Sequence, residues 1–153
     1  MHLYLVQHGR QLSKEIDSSQ PLSEEGLGEV ETIAQMAADK GIFVQRIEHS
    51  SKTRARETAS RLNHWLHPPE GMAQRGDIGP LDDVAPLAQE VRSRPNLMLV
   101  GHLPFLDRLT TYLILGKTAP TLFRFQNAGI VCLDLDEENG QWGIVWTLMP
   151  HVR

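Results

Sequence analysis

The stretch Leu3-Tyr4-Leu5-Val6-Gln7-His8-Gly9-Arg10 is a short apolar run that ends at a histidine, a glycine and a cation. Such a run is typical of a buried strand that carries His8 to its carboxyl end. The stretch Leu97-Met98-Leu99-Val100-Gly101-His102 has the same pattern, so His102 also follows a predicted strand. Because ligands bind at the carboxyl ends of strands in open α/β sheets, the two histidines are predicted to face one pocket.

The composition is typical of a globular protein and favours one domain over residues 1–153. The net charge of −4 argues against non-specific binding of nucleic acid or of an anionic membrane, since both require a cationic excess. The sequence shows neither a bilayer-spanning apolar stretch nor a secretory signal, so a cytoplasmic location is expected. The single cysteine, Cys132, excludes an internal disulfide and is interpreted as a core residue.

Apolar residues at helical spacing predict four helices, in residues 24–40, 53–66, 83–94 and 103–115. Ser23 is predicted to cap the first, residues 50–53 the second, and Asp82 or Asp83 the third. The predicted buried stripe of the first helix comprises Leu27, Val30, Ile33, Ala34, Met36 and Ala37.

Besides the two strands that precede the histidines, residues 43–49 predict a strand near a sheet edge, and residues 72–80 have room for a short one. Residues 129–135 and 142–149, joined by a turn that ends at Gly140, predict an antiparallel hairpin. Strands that alternate with helices and end in a hairpin predict a three-layer α/β/α fold with a mixed, mostly parallel sheet.

Arg54 lies in the first turn of the second predicted helix and would join His8 and His102 at the same edge if the strands are parallel. A guanidinium can bind two phosphoryl oxygens, and a helix N-terminus supplies further donors. A neutral imidazole is a competent nucleophile toward phosphorus. These residues are less suited to zinc, because no third ligand lies at a spacing typical of zinc sites and the arginine would repel the ion. No metal and no cofactor are therefore predicted.

Three stretches resemble the signatures of a known family in order and separation: Leu5–Gly9, Ser50–Ala59 and Val100–Pro104. The family is the histidine phosphatase superfamily, whose members share the phosphoglycerate mutase-like fold. The segments 20–26 and 79–83 and the short length are similar to the SixA-type phosphohistidine phosphatase branch. The resemblance covers essentially the whole chain.

The resemblance implies that His8 is the nucleophile, that Arg54 binds the phosphoryl oxygens and that His102 donates to the charge developing in the transition state. It also implies a partner protein that bears phosphohistidine, such as a phosphotransfer or phosphocarrier domain. Two alternatives are a catalytically weak or inactive module that binds phosphate or phosphoprotein, and a phosphatase of small phosphorylated metabolites. The remaining histidines are interpreted as surface or core residues: His2, His49, His64, His67 and His151.

Gln7 departs from the family pattern, which has an arginine immediately before the nucleophilic histidine. An amide donates hydrogen bonds but cannot neutralise a phosphoryl group. Arg10 or Lys14 is a candidate for the replacement charge, and Gly9 is a candidate for a further phosphate contact.

A general acid is also missing from the motifs. Larger family members protonate the leaving oxygen with a carboxylic acid, and the residues in the relevant region are Asp77, Asp82 and Asp83. Helix capping is the better interpretation of the last two. In a phosphoramidate such as phosphohistidine, the imidazole leaves readily once its ring nitrogen is protonated. This favours a nitrogen-bound phosphoryl group as substrate.

We expect Gln7→Arg to raise turnover about 10- to 150-fold, because one charge-assisted contact is worth about 1.5–3 kcal/mol. The measurement is kcat/KM of the two proteins with one phosphorylated substrate. No gain in a variant that folds normally would count against Gln7 lining the phosphate pocket.

Overall fold

The computed structural model describes residues 1–152 and contains one six-stranded sheet with helices packed against it. The strands are β1 His2–Gln7, β2 Arg46–His49, β3 Met72–Gln74, β4 Leu97–Gly101, β5 Ile130–Asp136 and β6 Gln141–Leu148. The helices are α1 Glu24–Asp39, α2 Thr53–Leu66, α3 Ala85–Glu90 and α4 Phe105–Leu115, and a 3-10 turn, Val91–Ser93, continues α3.

The strand order is β3-β2-β4-β1-β5-β6. Strands β3, β2, β4 and β1 are parallel, whereas β5 and β6 form an antiparallel hairpin joined to β1. Gln7 is in register with Gly101, and His49 with Val100. The sequence-based prediction of a mixed sheet is confirmed, and β1, β2 and β4 all end at the same edge.

Alternation along the strands divides the core between the two faces of the sheet. Leu3 and Leu5 of β1 pack in the cluster that contains α3 and α4, whereas Tyr4 and Val6 pack in the cluster that contains α1 and α2. Because a strand buried on both faces must be apolar at every position, β4 reads as a continuous apolar run. This confirms the three-layer α/β/α architecture.

Helix α1 begins as predicted, because the Ser23 side chain accepts a hydrogen bond from the Gly26 amide. The prediction that Leu27 and Met36 lie in the buried stripe is wrong, since both are exposed. For Leu27 the reason lies at Gly26, where a Cβ would stand 2.1 Å from the Arg10 carbonyl oxygen. The glycine lets the helix approach that backbone closely, and the next side chain turns about 100° away towards solvent.

The predicted caps of α2 and α3 are only partly correct. Lys52, and not a hydroxyl residue, precedes α2, and no side chain caps this helix. Asp83 accepts a hydrogen bond from the Ala85 amide at the start of α3, whereas Asp82 accepts one from the Gly79 amide. Helix α3 is also shorter than predicted, because the segment tightens into the 3-10 turn before β4.

Glu48 of β2 is a charged side chain with only 7% of its surface exposed. It accepts hydrogen bonds from Arg46 at 2.9 Å, Arg75 at 2.7 Å and Arg94 at 2.8 Å. Burial by itself would raise the pKa of Glu48, but the bonds from Arg94, Arg75 and Arg46 outweigh it and lower the pKa to about 2. The carboxylate therefore ties β2 to the segments that follow β3 and precede β4.

We expect Glu48→Gln to lower the free energy of unfolding by about 2–3 kcal/mol at neutral pH, because bonds from three arginines lose their charged acceptor. The carboxylate has a lower pKa in the folded than in the unfolded chain. Its stabilisation is therefore present above pH 4.5 and lost as the pH falls towards about 2.

Urea unfolding of both proteins at neutral and acidic pH measures this difference, with the exposed Glu15→Gln as the matched control. Equal unfolding free energies for the Glu48 and Glu15 variants would contradict the prediction.

Candidate active site

His8 follows β1 at the carboxyl edge of the sheet and is 6% exposed. Its backbone N–H donates to the Gly101 carbonyl of β4 at 3.0 Å. Its ring atom Nδ1 lies 2.7 Å from the Gly9 carbonyl oxygen, which can only accept. Nδ1 therefore carries the proton, and in the neutral ring the lone pair is on Nε2.

His102 follows β4 and is 2% exposed, and its ring centroid lies 5.0 Å from that of His8. Its Nε2 contacts the Ser50 hydroxyl at 2.6 Å. Ser50 Oγ also accepts from the Lys52 amide at 3.4 Å and keeps its own hydrogen for donation, so we assign the Ser50 hydroxyl as the donor to Nε2. This assignment puts the proton of the neutral ring on Nδ1, a buried atom without a hydrogen-bond partner in the described chain.

Arg54 lies in the first turn of α2, the helix that follows β2 at the same edge of the sheet, and its charge lowers the pKa of both imidazoles. None of the ion pairs within residues 1–152 involves Arg54. Its buried Nε also lacks a hydrogen-bond partner there. A partly desolvated cation without a counter-ion is a favourable place for an anion.

Burial and positive charge keep both rings neutral near physiological pH. Burial is the largest cause that lowers the pKa of His8, with a smaller contribution from Arg54, although the bond to Gly9 opposes them. The pKa of His102 falls to about 4 through burial, then through His8, Arg54 and Lys52. The site therefore combines two neutral imidazoles with one unpaired guanidinium.

The remaining residues considered for the anion site have different positions. Gln7 ends β1 on the side of Leu3 and Leu5, towards α3 and α4, and its buried Oε1 has no partner in the described residues. The hypothesis that Arg10 supplies a replacement charge is not supported, because its guanidinium is paired with Glu25 and Glu29 of α1. Lys14 is exposed in the loop that follows β1.

Gly9, which was considered as a phosphate contact, has a structural role in the fold. Its carbonyl accepts from His8, and its amide donates to the Thr58 hydroxyl at 3.0 Å, so this amide is already engaged. A Cβ at this position would stand 2.7 Å from Val30 Cγ2. The glycine therefore orients His8 within a tightly packed turn.

The three carboxylates considered as general acids are all engaged elsewhere. Asp77 accepts two bonds from Arg75, at 2.7 and 2.8 Å, and these bonds lower its pKa and keep it ionised. Asp82 and Asp83 accept from backbone amides, as described above. The bonds from Arg75 make Asp77 a poor proton donor, and Asp82 and Asp83 hold local backbone amides.

Sequence reasoning missed three residues that orient the site. Thr58 accepts from the Gly9 amide and donates to the Arg54 carbonyl at 2.8 Å, which links the turn after β1 to α2. Asn127 donates to the His8 carbonyl at 2.9 Å. The third is Ser50, which the sequence placed in a helix cap and the fold places against His102. The signal for Thr58 was its position inside the second motif.

Within residues 1–152, no group of three or more His, Cys, Asp and Glu side chains is arranged to hold a metal ion. The helices of this part of the chain are too short or too polar for one of them to cross a membrane.

We expect His102 to carry its proton on Nδ1 and to stay neutral down to about pH 4, because burial and three neighbouring positive or titratable groups disfavour the charged ring. A pH titration of the ring nitrogens by ¹⁵N NMR measures both properties. Ser50→Ala should populate the Nε2–H tautomer, and Ser51→Ala, an exposed neighbour, should not. Titration near pH 6.5, or an Nε2–H ring in the unmodified protein, would contradict the assignment.

Comparison with known proteins agrees with this fold, although no family model matches the chain. The chain is 24% identical to the phosphohistidine phosphatase SixA of Escherichia coli K12, over 98% of this chain and 94% of that protein. It is 31% identical to an uncharacterised protein of Picosynechococcus sp., over 87% of this chain and 84% of the other. The structure of the protein histidine phosphatase SixA complexed with tungstate superimposes with a TM-score of 0.83, at 24% identity, over 98% of this chain and 97% of that one.

These matches extend over nearly the full chain, and the structural match agrees with the mixed sheet and its helical layers. The chain belongs to the histidine phosphatase superfamily, to its SixA-type branch, and has the phosphoglycerate mutase-like fold.

Proposed function

We propose that this protein is a metal-independent phosphohistidine phosphatase that removes phosphate from a histidine of a partner protein through a phosphoenzyme at His8. The observation that carries the proposal is the pair of buried imidazoles 5.0 Å apart, with the Nδ1 of His8 bound to a carbonyl. That bond aims the lone pair of the neutral ring away from Gly9. A fixed, neutral imidazole is what nucleophilic attack on phosphorus requires.

In the proposed reaction, His8 Nε2 attacks the phosphorus of the bound phosphohistidine and forms a new N–P bond. The bond from phosphorus to the substrate imidazole breaks, and that ring leaves with its electron pair and a proton. Water then hydrolyses the His8 N–P bond and releases inorganic phosphate. The lowered pKa of His8 favours this sequence, because the ring stays unprotonated at neutral pH.

Arg54 and His102 would hold the phosphoryl group during both steps. The unpaired Arg54 guanidinium can bind two of its oxygens, and the His102 Nδ1–H can donate to a third. Because His102 has a pKa of about 4, it acts as a neutral hydrogen-bond donor. These donors point at charge that develops in the transition state, which is where such contacts accelerate the reaction.

The nitrogen-bound substrate is supported by the engagement of Asp77, Asp82 and Asp83 in other contacts. A histidine leaving group that is already protonated makes little demand on a general acid. The E. coli relative is a phosphohistidine phosphatase, which agrees with this choice. A cytoplasmic location forms part of the same proposal.

Gln7 favours a second candidate, a module that binds phosphate or phosphoprotein without turnover. An uncharged amide stands where the family has an arginine, and Arg10 is paired with α1 instead of replacing it. A site that retains Arg54 and His102 would still bind an oxyanion. Turnover and binding must therefore be measured separately.

We expect the unmodified protein to release phosphate from a phosphohistidine-bearing phosphotransfer domain, and His8→Ala to reduce release to the uncatalysed background, because the nucleophile is gone. His64→Ala, a change at an exposed histidine, should retain activity. An acid-labile phosphoryl group should be trapped on the unmodified protein and not on His8→Ala. A chelator should have no effect.

Each other outcome has a distinct meaning. Saturable phosphate binding without release identifies the binding module. Faster hydrolysis of a generic phosphate ester identifies a metabolite phosphatase. Full activity in His8→Ala would overturn the proposed mechanism, and inhibition by the chelator would overturn its independence of metal.

A further inference from the structure

We propose that the Lys52 ammonium group binds the phosphoryl group together with Arg54 and so replaces the cation that is missing at Gln7. The inference rests on the proposed function and adds one residue to the same site. Lys52 belongs to the second motif stretch, but neither its sequence pattern nor the family resemblance assigned it a role.

The backbone places Lys52 close to the His102 imidazole. It is the residue immediately before α2, two positions ahead of Arg54. Its amide donates to Ser50 Oγ at 3.4 Å, and Ser50 Oγ contacts His102 Nε2 at 2.6 Å. Two hydrogen bonds therefore connect Lys52 to His102, and its flexible four-carbon side chain starts at the rim of the site.

The Lys52 ammonium group has no ion-pair partner in the described residues, unlike most of the other cations considered. Arg10 is paired with α1, and the arginines around Glu48 are held by that carboxylate. Lys52 is exposed and takes part in no ion pair within residues 1–152. Its charge also contributes to the lowered pKa of His102, so its field reaches the ring.

The start of α2 carries an excess of positive charge. Lys52, Arg54 and Arg56 lie there, and the first turn contains no acidic residue. Cations at the positive end of a helix dipole are unfavourable unless an anion is bound. The buried Nδ1 of His102 and the buried Nε of Arg54, both without partners in the described chain, indicate where that anion binds.

Arg56 is a poorer candidate than Lys52 for the second cationic contact. Two residues along a helix correspond to a rotation of about 200°, so Arg56 projects to a different side from Arg54. Its side chain is exposed. Lys52 precedes the helix in extended backbone, with φ −74° and ψ 141°, so it is not confined to one helical face.

The phosphoryl group carries negative charge on three oxygens during transfer, and one guanidinium neutralises only part of it. In the family, the arginine before the nucleophile supplies a second positive charge on the side of β1. This chain supplies it from the start of α2. An arginine introduced at position 7 should therefore make phosphate binding depend less on Lys52.

The test is Lys52→Met, with Lys40→Met as the matched control because Lys40 is exposed and caps the C-terminal end of α1, away from α2 and its first turn. The probe is inorganic phosphate, measured by titration calorimetry, followed by kcat/KM with the phosphohistidine domain. We expect Lys52→Met to weaken phosphate binding about three- to tenfold, since one exposed cationic contact is lost. Lys40→Met should leave it unchanged, and Lys52→Arg should retain binding.

The Gln7→Arg background tests replacement directly. There the loss caused by Lys52→Met should shrink to less than about twofold, because the arginine already supplies the second charge. An equal loss in both backgrounds would overturn the replacement, and an unchanged affinity in Lys52→Met would overturn the contact itself. Failure to bind phosphate at all would also overturn it.

These outcomes are separable from failure of the proposed function. Phosphate binding that depends on Lys52 in a protein without turnover supports the contact and rejects the phosphatase. Turnover that depends on His8 and not on Lys52 supports the phosphatase and rejects the contact. Thermal unfolding of each variant should give equal midpoints, which would show that the change at exposed Lys52 does not act through stability.

Discussion

The parallel pairing of β1 with β4 is the constraint on which the site depends. It puts Gln7 in register with Gly101, so the next residue of each strand segment is a histidine at the same edge of the sheet. The His8 amide then donates to the Gly101 carbonyl and continues the ladder one step beyond the strand. A shift of one residue would turn each side chain to the opposite face and would separate the two rings.

Burial and charge then act together on those rings. Each imidazole is nearly enclosed, and the Arg54 guanidinium disfavours a second positive charge beside it. The rings therefore stay neutral while the guanidinium stays charged. This distribution leaves one ring free to act as a nucleophile and the other to donate a hydrogen bond, and it leaves the cation ready for an anion.

Orientation of the rings comes from a second set of contacts. Gly9 accepts from His8, Thr58 binds Gly9, and Ser50 binds His102, so each ring is held through one nitrogen and presents the other. Asn127 completes this arrangement from the segment that precedes β5. Residues from four parts of the chain thus hold the two histidines in place, which is the feature that a reactive site needs before substrate arrives.

The architecture could be predicted from local patterns of the chain. Apolar runs that end abruptly, helices with apolar residues at helical spacing and a hairpin turn that ends at a glycine are such patterns, and the strands and helices that they predict are present in the sheet and its layers. It also determined that His8, Arg54 and His102 lie on elements that meet at one edge, because parallel strands bring their carboxyl ends together.

The partner of each polar side chain became clear only in the folded chain. Ser50 could have capped a helix, and Arg10 could have faced the anion site, but the fold brings His102 to the serine and the α1 carboxylates to the arginine. Leu27 has the spacing of a core residue, yet the close approach at Gly26 turns it outwards. The spacing of apolar residues indicates whether a segment is a helix or a strand. A hydrogen-bond partner depends on residues distant in the chain, and no short sequence pattern contains that information.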